Sequence, residues 1–446
     1  MKNYKKVYAA FILAGGLILH GCNGIFDDLA INPNQPSMGA YFTSPSAVND
    51  AVMTMYGYMS TQRCLGASGS KTTIIRSDEA SSNSDYGKPG MFGADLNASY
   101  YTIEQPYTLM YTTASQASYI IETAPSVDFS GNEELRNAYM GEAYFWRAFA
   151  HYYLLINFRN ISPIRQMPRN GDDYVRPLEK PAAVWDFIQE DLAHAKELLP
   201  VKGYWDSKNA GRVTKASAAA LLGKAYLYRS GIEQYYGEDK TTFYSEAAKE
   251  FGDVIDGKYG TYDLTKNYAD NFDVAHENNE ESILEFQFLG DVDNAGFNPG
   301  LATSGLAFDS RGLMLPGAGV GYEGVVHNWL YNAFVNSVDK DGYTDIRMFS
   351  TMIFNDLDAS IHLRNDAGGN PVRLEGPGGY KWEELYPAKN GKEGFATVSN
   401  PLAHSFKAGI RKGIDCSMPT QTEADGTPKL VGVGAGVKEY VYNQPR

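Results

Sequence analysis

The chain has 446 residues, with 39 basic and 53 acidic side chains and a formal net charge of −14. That balance, with no basic stripe anywhere, excludes nucleic acid and anionic lipid surfaces as partners. A hydrophobic share of 43% supports a sizeable core in one large domain or two, and 32 Tyr suit both helix packing and wet binding surfaces.

Lys2, Lys5 and Lys6 precede an apolar run from Val7 to Leu19. Spanning a bilayer takes about 20 apolar residues, so the run is too short and has the charge order of a secretory signal peptide. It ends Leu19-His20-Gly21-Cys22, which resembles a bacterial lipobox with an atypical His. Cleavage before a lipidated Cys22 would leave the protein anchored to a membrane rather than spanning it. The plainer alternative is an ordinary signal peptide with an incidental Cys. Asn23, which is not Asp, favours the outer membrane, and Asp27 and Asp28 fit an acidic patch near an exported anchor. Without the leader, 36 basic residues face 53 acidic ones. Cys64 and Cys416 could pair in an oxidising compartment, although nothing in their spacing pairs them.

The expected divisions are a signal peptide at 1–21, a tether and extended leader at 22–45 and a helical-repeat region at 46–289. That region has a loop insertion at 66–99, and a loop-rich ligand-binding region follows at 290–446. Pro33, Pro36 and Pro45 mark the leader. Ser46 is a plausible N-cap for a helix over 47–60, with Val48, Val52, Met55 and Met59 on one face. Residues 101–123 read as helical after Pro106. The strongest periodicity lies in 132–158, where Leu135, Tyr139, Ala143, Trp146, Ala150 and Tyr153 share a face. Further helices are expected at 182–199, at 214–230 with Thr214 as cap, and at 242–256.

These helices form pairs with a common pattern. Met140-Gly141 with Tyr144 and Leu222-Gly223 with Tyr226 repeat one another, and Ala183 to Phe187 and Ala247 to Phe251 supply Ala-x-x-x-Phe on the later helices. This is the tetratricopeptide signature, in which Gly admits a close neighbour and the rings fill the seam. The wide spacing from Leu222 to Ala247 implies an expanded inter-helix loop. Beyond about 258, "NNEESILEFQF" reads as a strand entered from a loop and "VVHNWLYNAFVNSVDKDG" as a short helix. Residues 355–446 read as loops and short strands. The fold class is mostly α: a tetratricopeptide-like scaffold carrying irregular insertions, where binding features tend to sit.

Catalytic and metal signatures are missing. The seven His residues show no zinc spacing, and His151 reads as a hydrogen-bonded core residue. "GASGS" at 66–70 lacks the last Gly of a nucleophile elbow. "GVGAGVKE" at 432–439 lacks the third Gly of a dinucleotide loop. Asp339, Asp341 and Asp345 fit an acidic turn better than a cation loop. No cofactor is expected, and no catalysis.

Together "FDDL", "INPNQP", "GEAYFWRAFAHYYLLINF", "RVTKASAAALLGKAYLY", "AAKEFGDVIDGKYGTYDL" and "NNEESILEFQF" resemble, in order, the SusD/RagB-like outer-membrane lipoproteins of Bacteroidetes. The resemblance covers most of 22–345. Arg159 stands where that family's turn has Gly, and a further helical block is expected after "YVYNQPR". The resemblance implies a lipid-anchored, cell-surface protein that captures a nutrient, commonly a glycan, and delivers it to a SusC-like TonB-dependent transporter as a hinged lid. Peptide capture and a purely structural adaptor role are alternatives. Aromatic and polar loop residues that could meet sugar faces and hydroxyls are Asn83, Asp85, Tyr86 and Phe92, then Arg311 and Tyr322, then Tyr380 and Trp382. Trp146, Trp185 and Trp329 lie in helical patterns and are expected in the core.

Overall fold

A computed structural model of the chain describes residues 42–61, 64–65, 80–81, 101–167, 175–266, 268–272 and 276–287, with short pieces at 325–326, 330, 333–334, 336–343, 345, 347, 430–432 and 438–440. The helices are α1 (Pro45–Ser60), α2 (Tyr101–Thr123), α3 (Glu133–Phe158), α4 (Pro181–Leu198), α5 (Lys215–Tyr236) and α6 (Tyr244–Ile255). From α2 onward each packs on the next, and α1 lies against α2 and α3. Neighbours run antiparallel. Arg147 and Tyr152 of α3 meet Asp191 and Trp185 of α4, while Gly223 and Ser230 of α5 meet Phe251 and Phe243.

The pairing expected from the repeat pattern is therefore present. A Cβ on Gly223 would come within 2.8 Å of the Phe251 ring, and one on Gly141 within 2.9 Å of Leu199. Gly223 makes room for the Phe251 ring, and Gly141 for the backbone and side chain of Leu199 just past the end of α4. Trp146 and Trp185 are fully buried, as expected; Trp329 lies outside the described residues. His151 is a core residue. Its Nδ1 donates to the Arg147 carbonyl at 2.8 Å, and its Nε2 accepts from Ile164 N–H at 2.9 Å. Burial pulls its pKa down to about 3, and the nearby Arg147, Arg165 and Arg176 act in the same direction.

Several boundaries differ from the sequence reading. Ser44, not Ser46, caps α1, accepting from Ala47 N–H at 3.3 Å, and Pro45 opens the helix. Proline suits that first position because its missing N–H has no helical partner there. The helix thus begins at the last residue of the span expected as leader, and Phe42 is already buried against Tyr119, with ring centres 4.6 Å apart. Helix α2 begins at Tyr101 and continues through Pro106, which lacks the N–H that this helix position would otherwise donate. The expanded loop after Leu222 is mostly helix. Helix α5 runs on to Tyr236 and stops where Gly237 adopts φ +70°. The expected strand in 278–287 is irregular, and its backbone is held by side chains instead, as where Ser217 Oγ donates to the Ile283 carbonyl at 2.9 Å.

Two short antiparallel pairs complete the description. β1 (Ala80–Ser81) pairs with β2 (Val325–Val326), and β3 (Leu430–Gly432) pairs with β4 (Lys438–Tyr440). Val325 and Val326 were expected to open a helix; residues 330, 333, 334 and 336 beyond them are helical. A strand follows "GVGAGV" rather than a helix, against any dinucleotide loop there.

Candidate functional site

The inner face of α1 carries Val48, Val52, Met55 and Met59 into the core. Its other face, with Asp50, Thr54 and Gly57, lines a groove of about 660 Å³ whose far wall is Arg212, Phe286 and Gln287. Gly211 makes that wall possible. It sits at φ +79°, and a Cβ there would lie 2.5 Å from the Glu285 carbonyl oxygen. Glycine alone fits both conditions, so the 285–287 segment lies directly on the 210–212 turn. Gly57 is the opposite case, since a Cβ there meets nothing within 4 Å. Its missing side chain leaves open floor.

A buried polar network fixes this floor. Arg212 donates to both oxygens of the Glu142 carboxylate, through Nε at 2.9 Å and through Nη2. Tyr56 donates to Glu142 Oε1 at 2.7 Å and accepts from Val213 N–H at 2.8 Å. Arg212 also donates to Asn49 Oδ1 at 2.8 Å, and its guanidinium lies 4.2 Å from the Trp205 ring centre. Burial, and then the Glu142 charge, push the Tyr56 phenol well above its ordinary pKa. Tyr56 therefore stays protonated and keeps donating. One network thus locks α1, α3 and the turn before α5 together, and packing alone does not set the groove's shape. Beneath it, Trp146 packs edge-on to Tyr56 at 4.9 Å and lies 5.9 Å from Phe286.

Chain connectivity gives the groove its interest. Thr61, on its rim, leads into the 66–99 insertion, and Gln287 leads into the region beyond 290. β1 belongs to the first of these segments and β2 to the second, so backbone pairing ties them together. The eight site residues expected from sequence (Asn83, Asp85, Tyr86, Phe92, Arg311, Tyr322, Tyr380 and Trp382) all lie outside the described residues, as do Cys22 and Cys416. Sequence reasoning missed Gly57, Arg212 and Phe286. The available signal was a glycine on the polar face of a helix with no packing reason for it.

Metal binding gains no support. Among the described residues no three His, Cys, Asp or Glu side chains are placed to hold an ion. The Asp339 loop is the acidic turn expected. Asp339 Oδ1 accepts from the Asp341 and Tyr343 amides at 2.8 and 3.0 Å, and Asp345 pairs with Arg347. Cys64 is buried, which pushes its thiol up to about 12. Among the described residues no helix is long and apolar enough to cross a membrane.

Residues 31–227 match a family model described as "Starch-binding associating with outer membrane", of the SusD-like type. Over those residues the chain is similar to the SusD-like family. A SusD-like protein of Bacteroides ovatus is 26% identical over 293 residues, which is 65% of this chain and 51% of that one. The chain spans about half the length of the curated relatives it matches. Among solved structures, a SusD superfamily protein from Bacteroides vulgatus superposes with a TM-score of 0.55 at 21% identity, covering 70% of this chain and 61% of the other. A laminarin-binding SusD-like protein gives 0.52 at 22% identity, covering 65% and 64%. Both show the same fold as this chain.

Proposed function

We propose that this protein binds a glycan at the mouth of the α1 groove, with further ligand contacts supplied by residues of the 66–99 segment and of the region beyond 290. The observation that carries the reading is topological. The two segments holding every aromatic and polar residue expected to bind follow, in sequence, Thr61 and Gln287, which line the same groove. The groove wall mixes an apolar ring, Phe286, with Thr54, Asp50 and Gln287. Such a mixture matches a sugar's C–H faces and hydroxyl rim. In this reading Tyr86 and Trp382 supply stacking rings, and Asn83, Asp85 and Arg311 supply hydrogen bonds. Cys22 anchors the protein to the outer membrane, and a SusC-like transporter receives the ligand. A tether of this kind raises the local concentration of the binder over its transporter.

Laminarin and soluble starch are the first probes, one from a protein of this fold and one from the family description. The test is affinity electrophoresis of the soluble chain from Asn23 onward. Retardation by either glycan is expected, weakened by Gly57→Gln with no loss of thermal stability, and weakened again by Tyr86→Ala or Trp382→Ala. Retardation indifferent to all three changes would remove the groove from the reading. A folded chain that neither glycan retards would remove glycan binding for these two polymers.

A further inference from the structure

A second face of the molecule also has the make-up of a binding site. Along the outside of α5 run Leu227, Tyr228, Gly231 and Tyr235, with Tyr236 beside them, and Tyr244 at the start of α6 forms the other wall. Together they line a groove of about 530 Å³. The rings are exposed, Tyr235 at 83% of its surface. They are also held in place. The Arg159 guanidinium lies 3.9 Å from the Tyr236 ring centre, and Tyr235 stands edge-on to Tyr236 at 5.1 Å. Tyr228 stands edge-on to Tyr152 at 5.8 Å, and the buried Tyr152 hydroxyl has no hydrogen-bond partner.

Gly231 decides how this face is read. A glycine inside a helix costs about 1 kcal/mol relative to alanine. Gly223, on the same helix, is needed by the Phe251 ring; Gly231 is not, because a Cβ there would meet nothing within 4 Å. Its missing side chain leaves an open trough between the tyrosine rings. No Asp, Glu, Lys or Arg lines this groove, in a chain with 39 basic and 53 acidic residues. The ligand that matches is uncharged, with flat C–H faces for the rings and hydroxyls for the phenol tips.

We propose that the outer face of α5 is a second carbohydrate site, separate from the α1 groove, which seats a short run of an uncharged glycan across Gly231. Its place and ligand class are argued from this face alone; only the choice of probes rests on the function proposed above. The full chain is prepared with 3-fluorotyrosine at position 235 and titrated with laminarin and with soluble starch, observed by fluorine NMR. The Tyr235 resonance should shift and saturate. Gly231→Gln fills the trough without a clash and should weaken that response about tenfold or more, whereas Gly57→Gln should leave it unchanged. A resonance that stays put at glycan concentrations that retard the chain in a gel overturns this site and leaves the α1 groove standing. A shift that Gly231→Gln does not alter overturns it too. A shift that grows with protein concentration in the absence of glycan assigns the face to a second copy of the chain and overturns it as well. If neither glycan moves the resonance or retards the chain, both readings fall for these probes.

Discussion

Arg159 shows how one residue can combine strain with attachment. It ends α3 at φ +59° and ψ −65°, and Asn160 N–H donates to the Phe158 carbonyl at 2.7 Å across it. That is a γ-turn of the strained hand, at the position where the family resemblance leads one to expect Gly. Such backbone costs on the order of 1–3 kcal/mol in a non-glycine residue. The compensation is visible. Arg159 donates to both oxygens of Glu233, at 3.2 and 2.8 Å, and Glu233 also accepts from Trp185 Nε1 at 2.9 Å. Removing one partner of a buried pair costs about 3–5 kcal/mol. Arg159→Ala should lose most of that. Arg159→Gly should lose less, by the strain it relieves, and Glu233→Gln should restore part of either loss. Urea unfolding of the parent, the two single variants and the two double variants checks this. Equal losses for the Gly and Ala variants would dismiss the strain, and a Gly variant more stable than the parent would dismiss the pair.

At the same scale, His151 gives the fold an acid limit. Folded, it titrates near 3, against 6.5 for an ordinary histidine. Between those values the unfolded chain binds more protons, so stability is complete above pH 6.5 and declines as pH falls toward 3. Each pH unit inside that window costs about 1.4 kcal/mol. From pH 6.5 to 5.0 the parent should lose roughly 2 kcal/mol more than a His151→Gln chain, which has no ring to protonate. Unfolding curves at the two pH values supply the difference. Parallel losses in both chains would show that His151 is not the group responsible.

At the scale of elements, helix α5 carries two glycines with opposite roles. Gly223→Ala drives a methyl into the Phe251 ring, which a Cβ would approach to 2.8 Å. Overpacking of this kind costs about 1–3 kcal/mol. Gly231→Ala adds a methyl to open space and removes backbone freedom from the unfolded chain, a gain of about 0.4–1 kcal/mol. Denaturant midpoints should therefore move in opposite directions for the same substitution eight positions apart. A loss at Gly231 would mean that the glycine has a packing role after all. The repeat pattern made Gly223 legible in the sequence, because a large apolar residue, Gly and a later Tyr form a recognisable set. It left the end of α5 unread: Gly231 looks like a stop, and only the left-handed Gly237 is one. The extension beyond Ser230 brings Glu233 to Arg159 and Tyr235 and Tyr236 to the surface. Polar pairs close several helix seams: Arg147 to Asp191 between α3 and α4, Arg229 to Asp186 between α4 and α5, and Lys196 to Glu250 between α4 and α6. No periodicity argument finds these, since each joins residues 40 or more positions apart.

At the scale of the whole molecule, helix order, helix pairing and the buried Trp146, Trp185 and His151 were legible because each rests on a local period or motif. The α1 groove was not. It is assembled from Asp50 to Thr61, Ala210 to Arg212 and Glu285 to Gln287, and only folding brings those stretches together. Net charge, by contrast, was legible from the start and separates the two nutrient readings. A chain of −14 attracts cationic peptides at long range, and added salt screens that attraction over a Debye length of about 8 Å at physiological ionic strength. An uncharged glycan has no such term. Binding of laminarin or starch should therefore keep its dissociation constant, within about twofold, between low and high salt. A basic peptide held by the same groove should weaken roughly tenfold or more over that range. Calorimetric titrations at the two salt concentrations make the comparison. Salt-insensitive glycan binding supports carbohydrate as the ligand, whereas salt-sensitive capture of peptides with no response to either glycan would reassign the groove to peptides.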